Sequence, residues 1–331
     1  IKRDKKSLGY ALSEVKGEDL TQTRDANIAN SLSGKVAGLQ IKQSGTGPAG
    51  SSRIVLRGNN SIMGNNQPLV VVDGVPIDSG TVGTDDYWGN RSTDRGSGMA
   101  DISPDYIESI SVLKGPAAAA LYGSRAGNGV IMITTKTGQG KKGIGVSYNT
   151  NLTFDSPMQL PKYQNVYGQG ADGIYNKNSK VSWGAKMEGQ EYVNYVGTKI
   201  TYSPYDNDLK DFIRTGNTWT NSVELTSATD KNTFRVGVMN LSNKGVVPNS
   251  DFSRTSATLR GTAKLTSKLS LDAKITYINQ KTNNRIKLGG DPDNIFNNFL
   301  MMPRSVHMSD FSLGENGYRF LDGQVNPYGY A

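Results

Sequence analysis

The sequence predicts an α+β domain followed by antiparallel strands of a transmembrane β-barrel. Three observations predict it. Near residue 142 the texture changes from short, mixed helix and strand signals to long strands. Each long strand alternates apolar and polar residues, so it carries one chemistry on each face. The connections between the long strands alternate short and long, as in outer-membrane barrels.

In the first part, residues 1–142, Asp25 is placed to cap a helix. Its apolar residues Ile28, Leu32 and Val36 recur every four positions, and Gly38 marks a stop. Residues 39–43 and 54–56 read as short strands. Residues 69–72 are wholly apolar and end in the turn Asp73-Gly74. Ser103-Pro104 predicts a helix start, because proline suits the first helical turn. Residues 110–113 and 129–135 read as strands, with an Ala-rich helix at 117–122 between them.

In the second part, residues 143–331, five strands are expected. Ile144, Val146, Tyr148, Leu152 and Phe154 share one face, against Ser147, Asn149, Asn151 and Thr153. Trp219, Val223 and Leu225 oppose Thr218, Thr220, Ser222 and Glu224. Phe234, Val236 and Val238 oppose Arg235. Leu259 and Ala263 oppose Thr258, Arg260, Thr262 and Lys264. Leu271, Ala273, Ile275 and Tyr277 oppose Asp272, Lys274 and Thr276. Tight turns are expected at 228–231 and 266–268, and long loops at 155–216 and 242–253. Short turns then lie on the periplasmic side and long loops outside. Alternation alone also fits a soluble β-sandwich, with its apolar faces packed inward. Strand length favours the membrane: about 11 to 14 residues against the usual five or six. Five strands cannot close a barrel. At roughly 28 residues per strand and loop, a plugged transporter of about 22 strands needs on the order of 620 residues. The chain is therefore expected to be a fragment.

Composition removes other classes. No stretch of the 331 residues reaches the length and apolarity of a membrane helix, although weakly hydropathic barrel strands escape that test. Absence of cysteine excludes disulfide scaffolds, thiol catalysis and Cys-based zinc sites, and one histidine, His307, excludes a His-rich metal site. The net charge is +8, but Lys and Arg are spread along the whole chain rather than clustered with aromatics, which argues against nucleic acid. No enzyme is expected: Asp85-Asp86 are mere sequence neighbours on a loop, and no cofactor is called for. Asp291 and Asp293 lack the EF-hand pattern. Gly138, Gly140 and Gly143 match G-x-G-x-x-G, but a strand follows where a dinucleotide site needs a helix.

The first part also carries long motifs. They are Leu56-Arg57-Gly58, LVVVDGVPI at 69–77 and IESISVLKGPAAAALYGSRAGNGVIMITTKTG at 107–138, with KSLGYALSEVKGEDL and NSLSGKVAGLQI before them. These resemble the plug domain of TonB-dependent outer-membrane transporters, in particular the SusC/RagA family of Bacteroidetes, over nearly all of residues 1–142. The resemblance implies a plug blocking a 22-stranded barrel in the outer membrane of a Gram-negative bacterium. It also implies a SusD-like surface lipoprotein as lid, and an inner-membrane TonB complex pulling on a box upstream of the plug. The cargo would be a glycan or an oligopeptide. Alternatives are a siderophore or vitamin receptor, and a substrate-sensing signal transducer.

Three residues are candidates for ion pairs between plug and barrel. Arg57 and Arg125 sit beside glycines in the strongest motifs, and a buried arginine needs a carboxylate partner. Glu224, on the polar face of its strand, is a candidate partner. The alternative for Arg125 is bonding to backbone carbonyls alone. Tyr87, Trp88, Asn90 and Arg91, in the Gly-, Ser- and Asp-rich stretch 78–99, are candidate substrate-facing residues, since aromatic faces beside amide and carboxyl groups suit sugars. A loop ordered by packing is the competing reading. The Tyr-rich stretch 163–205 is a second candidate surface, with loop packing or an interfacial girdle as its alternative.

Overall fold

A computed structural model describes residues 12–22, 25–47, 50–62, 66–78, 83–85, 91–114, 120, 122–138, 143–194, 197–205, 208–291, 293–307, 319–320 and 324–325. In order, the first domain contains β1 (Leu12–Lys16), α1 (Gly17–Gln22), α2 (Ile28–Ser31), β2 (Leu39–Gln43), β3 (Ser52–Leu56), β4 (Leu69–Val72), β5 (Val75–Ile77), β6 (Gly83–Asp85), β7 (Arg91–Asp94), β8 (Ile107–Leu113) and β9 (Val130–Thr135). One sheet runs β1-β8-β9-β4-β5, in which β4 and β9 are parallel and the other pairs antiparallel.

The wholly apolar run 69–72 lies inside this sheet. Val70 packs into the main core, and Leu69 and Val71 pack into a second cluster on the other face. A strand covered on both sides has no polar face to present, which explains the unbroken LVVV. The chain then reverses at Asp73 and Gly74, both at positive φ (49° and 89°), as a tight hairpin turn demands. Ile28, Leu32 and Val36 all enter the main core, as their spacing predicts. The helix itself is one turn. Its cap is Asn27 rather than Asp25, with the Asn27 side chain accepting from Ala29 N. Asp25 instead accepts from Asn27 N and Asn30 Nδ2 and so braces the cap. Ser103-Pro104 opens a single 3₁₀ turn, Pro104–Tyr106, because the extended conformation of β8 takes over at Ile107. Most of the expected helix at 117–122 lies outside the described residues.

The second part is one antiparallel sheet of consecutive long strands. These are β10 (Gly143–Asp155), β15 (Gly216–Ala228), β16 (Asn232–Lys244), β17 (Asp251–Lys264) and β18 (Ser270–Asn283). Four short strands intervene within the first long connection: β11 (Gly170–Ala171), β12 (Ile174–Tyr175), β13 (Glu191–Val193) and β14 (Lys199–Thr201). The orientation is decisive. Thr218, Thr220, Ser222, Arg235, Arg254, Ser256, Thr258 and Arg260 are buried on the face whose Arg235, Arg254, Ser256 and Arg260 bond the first domain, whereas Trp219, Val223, Leu225, Val238 and Leu259 are exposed on the opposite face. A soluble sandwich would do the reverse. An outward apolar face and an inward polar one are what a lipid-facing wall requires.

The connection between β16 and β17 is shorter than expected, only residues 245–250, closed by Gly245 N donating to Ser250 O at 2.9 Å. Polar residues such as Ser242 and Asn243 read as loop, yet the ladder continues through them, pairing Asn243 with Phe252. The connection 156–215 is long and built. Tyr175, Tyr192 and Tyr202 meet edge to face at 4.8–5.4 Å between centroids. Tyr192 Oη donates to Ser305 O at 2.6 Å, which ties the loop to the segment after β18. Two short helices, α3 (Asp208–Phe212) and α4 (Ile295–Met301), join Val247 and Val306 in an apolar cluster at the same end.

Candidate functional site

The chemistry-bearing region is the surface where the first domain meets the polar wall. Three arginines, on β16 and β17, point inward, and each meets a different part of the domain. Arg235 is 1% exposed. Its Nη2 lies 2.6 Å from Glu224 Oε2, on the adjacent strand, and its guanidinium sits 5.0 Å from the Tyr106 ring centroid. Arg254, equally buried, donates from Nη1 to the Ala100 carbonyl. Arg260 grips Asp272 in a two-point contact (Nε–Oδ1 3.0 Å, Nη2–Oδ2 2.7 Å) and donates from Nη1 to the Thr135 carbonyl at 2.9 Å. The same Nη1 stands 3.8 Å from Asp73 Oδ1.

Asp73 is the centre of this contact. Lys274 Nζ on β18 donates to its Oδ2 at 2.8 Å, and Thr135 donates to it twice, from N at 2.9 Å and from Oγ1 at 2.6 Å. Burial alone would raise the Asp73 carboxyl above its ordinary range. The bonds from Lys274 and Thr135 outweigh burial and hold it below. The turn that closes the LVVVDG hairpin is thus an anionic foot set on a cationic wall.

Further contacts continue the seam. Tyr106 Oη donates to Ser256 O at 3.2 Å, Ser103 Oγ to Met239 Sδ at 2.9 Å, and Thr233 Oγ1 to Thr137 O at 2.9 Å. Gln280 Nε2 donates to Asp101 Oδ1. Met239, Leu241 and Phe252, inward exceptions to the polar face, pack against Ala26 and Tyr106. Gly237 makes room: a Cβ there would stand 2.9 Å from Tyr106 Cε1. Asp94, buried, accepts from Ser51 N, Ser51 Oγ, Thr46 Oγ1 and Gly96 N. Burial raises its carboxyl, and the bonds from Gly96 and Ser51 more than offset that, leaving it low. Arg285 Nη1 donates to the Asp94 carbonyl at 2.7 Å and Lys287 Nζ to Thr93 Oγ1 at 2.9 Å, anchoring β7 to the wall. A cavity of about 540 Å³ remains beside this seam, lined among others by Ile77, Ile102, Tyr106, Thr258 and Thr276.

The expected ion pairs are arranged differently. Arg57 and Arg125 are exposed, and neither makes an ion pair among the described residues. Glu224 is taken by Arg235. The register explains it: Gly237 stands directly opposite Glu224, so Arg235, one position along the same face, reaches across an empty site. Arg57 has a different constraint. Its φ is 59°, and its N donates to the Gly38 carbonyl at 2.8 Å, which locks the backbone there. Tyr87, Trp88 and Asn90 lie outside the described residues. Arg91 opens β7, and nothing is described of its side chain. In the stretch 163–205, Tyr192 and Tyr202 are buried in loop packing, while Trp183 is exposed beside Tyr167, centroids 6.1 Å apart.

Comparisons with known proteins agree with this arrangement. Residues 4–130 match the family model of the TonB-dependent receptor plug domain. The chain is 30% identical over 256 residues to the TonB-dependent receptor SusC of Bacteroides thetaiotaomicron, covering 77% of this chain and 23% of that protein. It is 36% identical over 185 residues to the probable TonB-dependent siderophore receptor PirA of Acinetobacter baumannii, covering 52% of this chain and 23% of that one. The chain thus spans about a quarter of the length of these relatives. Among solved structures, the RagAB peptide importer in its closed-closed state superposes with a TM-score of 0.63 over 98% of this chain and 37% of that one, at 19% identity. That likeness carries the fold.

Proposed function

Because this chain belongs to the SusC/RagA type of TonB-dependent transporters of the outer membrane, we propose that the protein imports a large nutrient, a glycan or an oligopeptide, and that residues 1–142 gate the barrel begun by residues 143–331. The observation that carries this reading is the seam itself. A folded domain is seated by hydrogen bonds and ion pairs, with one small apolar cluster among them, against the polar face of a wall whose apolar face looks outward. Many modest polar contacts hold a gate closed, and each is exchangeable with water when the gate is pulled.

The partners follow from the same reading: a SusD-like surface lipoprotein over the long connections, outer-membrane lipid around the wall, and a TonB complex as the source of work. Opening would begin where plug and wall share charge, at Asp73. The likeness to SusC over 77% of the chain supports the glycan arm, and the fold shared with a peptide importer supports the peptide arm. The likeness to a siderophore receptor, over 52% of the chain, keeps that cargo as the second reading.

The test is uptake by cells whose only copy of the gene is deleted or restored. Fluorescent oligosaccharides, fluorescent oligopeptides and a ferric siderophore are offered with and without a protonophore. Energy-dependent uptake of either of the first two, lost on deletion, is expected. Uptake of the siderophore alone would replace the reading with the second one, and uptake indifferent to deletion would refute both.

A further inference from the structure

A cavity of about 260 Å³ lies where the residues before α2, the ends of β10, β15 and β16 and the residues after β16 converge. Its lining includes Asp25, Asp155, Thr153, Thr218, Asn243 and Gln43. Asp155 closes β10 and Thr218 lies near the start of β15, so the cavity is at the end of the long connections, the outer side. It joins side chains from both bodies: Asp25 from the first domain, the other carboxylate and Asn243 from the wall.

Its chemistry is one-sided. The side-chain groups from Asp25, Asp155, Thr153 and Thr218 offer oxygen. Asn243 is 2% exposed, and its Nδ2 donates to Thr218 Oγ1 at 2.7 Å and to the Asn217 carbonyl at 3.3 Å. Those two acceptors fix the amide orientation, since its oxygen cannot face a carbonyl. The oxygen, Asn243 Oδ1, is buried and has no hydrogen-bond partner. Asn243 lines the same cavity as the two carboxylates, and its orphaned acceptor lacks a cation or a donor. Asp25 has one oxygen, Oδ1, committed to Asn27 N and Asn30 Nδ2. The charges of both Asp155 and Arg254 reach Asp25. Arg254 does not line the cavity, and its Nη1 is given to the Ala100 carbonyl.

We propose that this cavity is a site for a hard divalent cation, Ca²⁺ by its all-oxygen donors, held by Asp25, Asp155 and Asn243 Oδ1 and bridging the first domain to the barrel wall at its outer end. Carboxylate, amide and hydroxyl oxygens are the ligands such ions take, and Ca²⁺ accepts irregular sets completed by water. At roughly 30 Å³ of liquid per water molecule, the space admits an ion together with several waters. The ion would relieve the Asp25–Asp155 repulsion and stabilise the seated domain by mass action, since the site exists only when the two bodies meet. The site stands whatever the cargo is.

The experiment uses the full-length protein in detergent, stripped with EDTA and titrated calorimetrically with CaCl₂. Asp155 is exposed at a strand end, so D155N is expected to fold as the parent does, and T218V gives a second, nearly isosteric variant. One Ca²⁺ per chain is expected to weaken by about tenfold or more in D155N. Hydrogen exchange of residues 25–32 is expected to slow with Ca²⁺ in the parent and not in D155N. Equal Ca²⁺ affinity and stoichiometry in the parent, D155N and T218V would overturn the proposal. So would exchange at 25–32 that ignores the ion.

Discussion

The contact at Asp73 gives the sharpest quantitative expectation. The perturbation is D73N, which keeps the shape and an acceptor for Thr135 but removes the charge facing Lys274 and Arg260. The Lys274 bond, at 2.8 Å with both side chains about a quarter exposed or less, is charge-assisted and worth about 1.5–3 kcal/mol. The Arg260 approach, at 3.8 Å and shared with Asp272, adds about 0–1 kcal/mol. Screening at a half-open site trims the sum, so a coupling of about 1–3 kcal/mol is expected, or roughly 5–150-fold in the population of the unseated domain. The assay is a double-mutant cycle of D73N and K274M, read by hydrogen exchange at residues 69–77 and 130–135 in the intact protein. The pH dependence has a fixed sign. The seated carboxyl titrates below its free value of 3.8, so its contribution is complete above that value and is lost as pH falls through the seated one. A coupling near zero, or seating that strengthens on acidification below pH 4, would refute the reasoning.

R235M strands Glu224 without its cation and is expected to cost about 3 kcal/mol in urea unfolding, most of it recovered in R235M/E224Q. G237V drives a side chain toward the Tyr106 ring and is expected to cost about 1–3 kcal/mol, seen as faster exchange at 103–113 with the wall itself intact. V223R, in the middle of β15 on the outward face, is expected to cost about 2–4 kcal/mol for insertion into lipid vesicles, while S222A on the inward face costs less than 1.

Much of this architecture was legible because period-two alternation survives any tertiary context. Trp219, Val223 and Leu225 against Thr218, Thr220 and Ser222 fixed both strand and face, and LVVV announced a strand buried on both sides. The sandwich alternative could be dismissed only once the polar face was seen to be the covered one. The spacing of Ile28, Leu32 and Val36 predicts a longer helix than the one turn that forms, because one turn followed by a non-helical turn gives the same fourfold spacing of core residues. The sequence predicts a longer loop than 245–250 because polar strand ends look like loop. The seam was the least legible part. Arg235, Arg260, Asp272 and Lys274 were visible as polar-face residues, but nothing local says that Asp73, a turn residue, lies 201 positions from its Lys274 partner. Arg57 and Arg125 stand in glycine-rich motifs, whereas pairing is decided by register. Asn243 Oδ1 gave no sequence signal, since an orphaned acceptor exists only after folding.

The central claim is that the polar face of this sheet holds the first domain while the apolar face meets lipid. Residues 1–331 contain no cysteine, so a single spin-labelled cysteine placed among them has no background from this part of the protein, and any cysteine elsewhere in the full-length protein is first replaced by serine. The decisive measurement is paramagnetic accessibility of labels in V223C, L259C, S222C and S256C in the full-length protein in lipid vesicles. High oxygen and low polar-nickel accessibility at 223 and 259, with both low at 222 and 256, is the expected result. Oxygen accessibility at 222 and 256, with 223 and 259 shielded, would contradict the account.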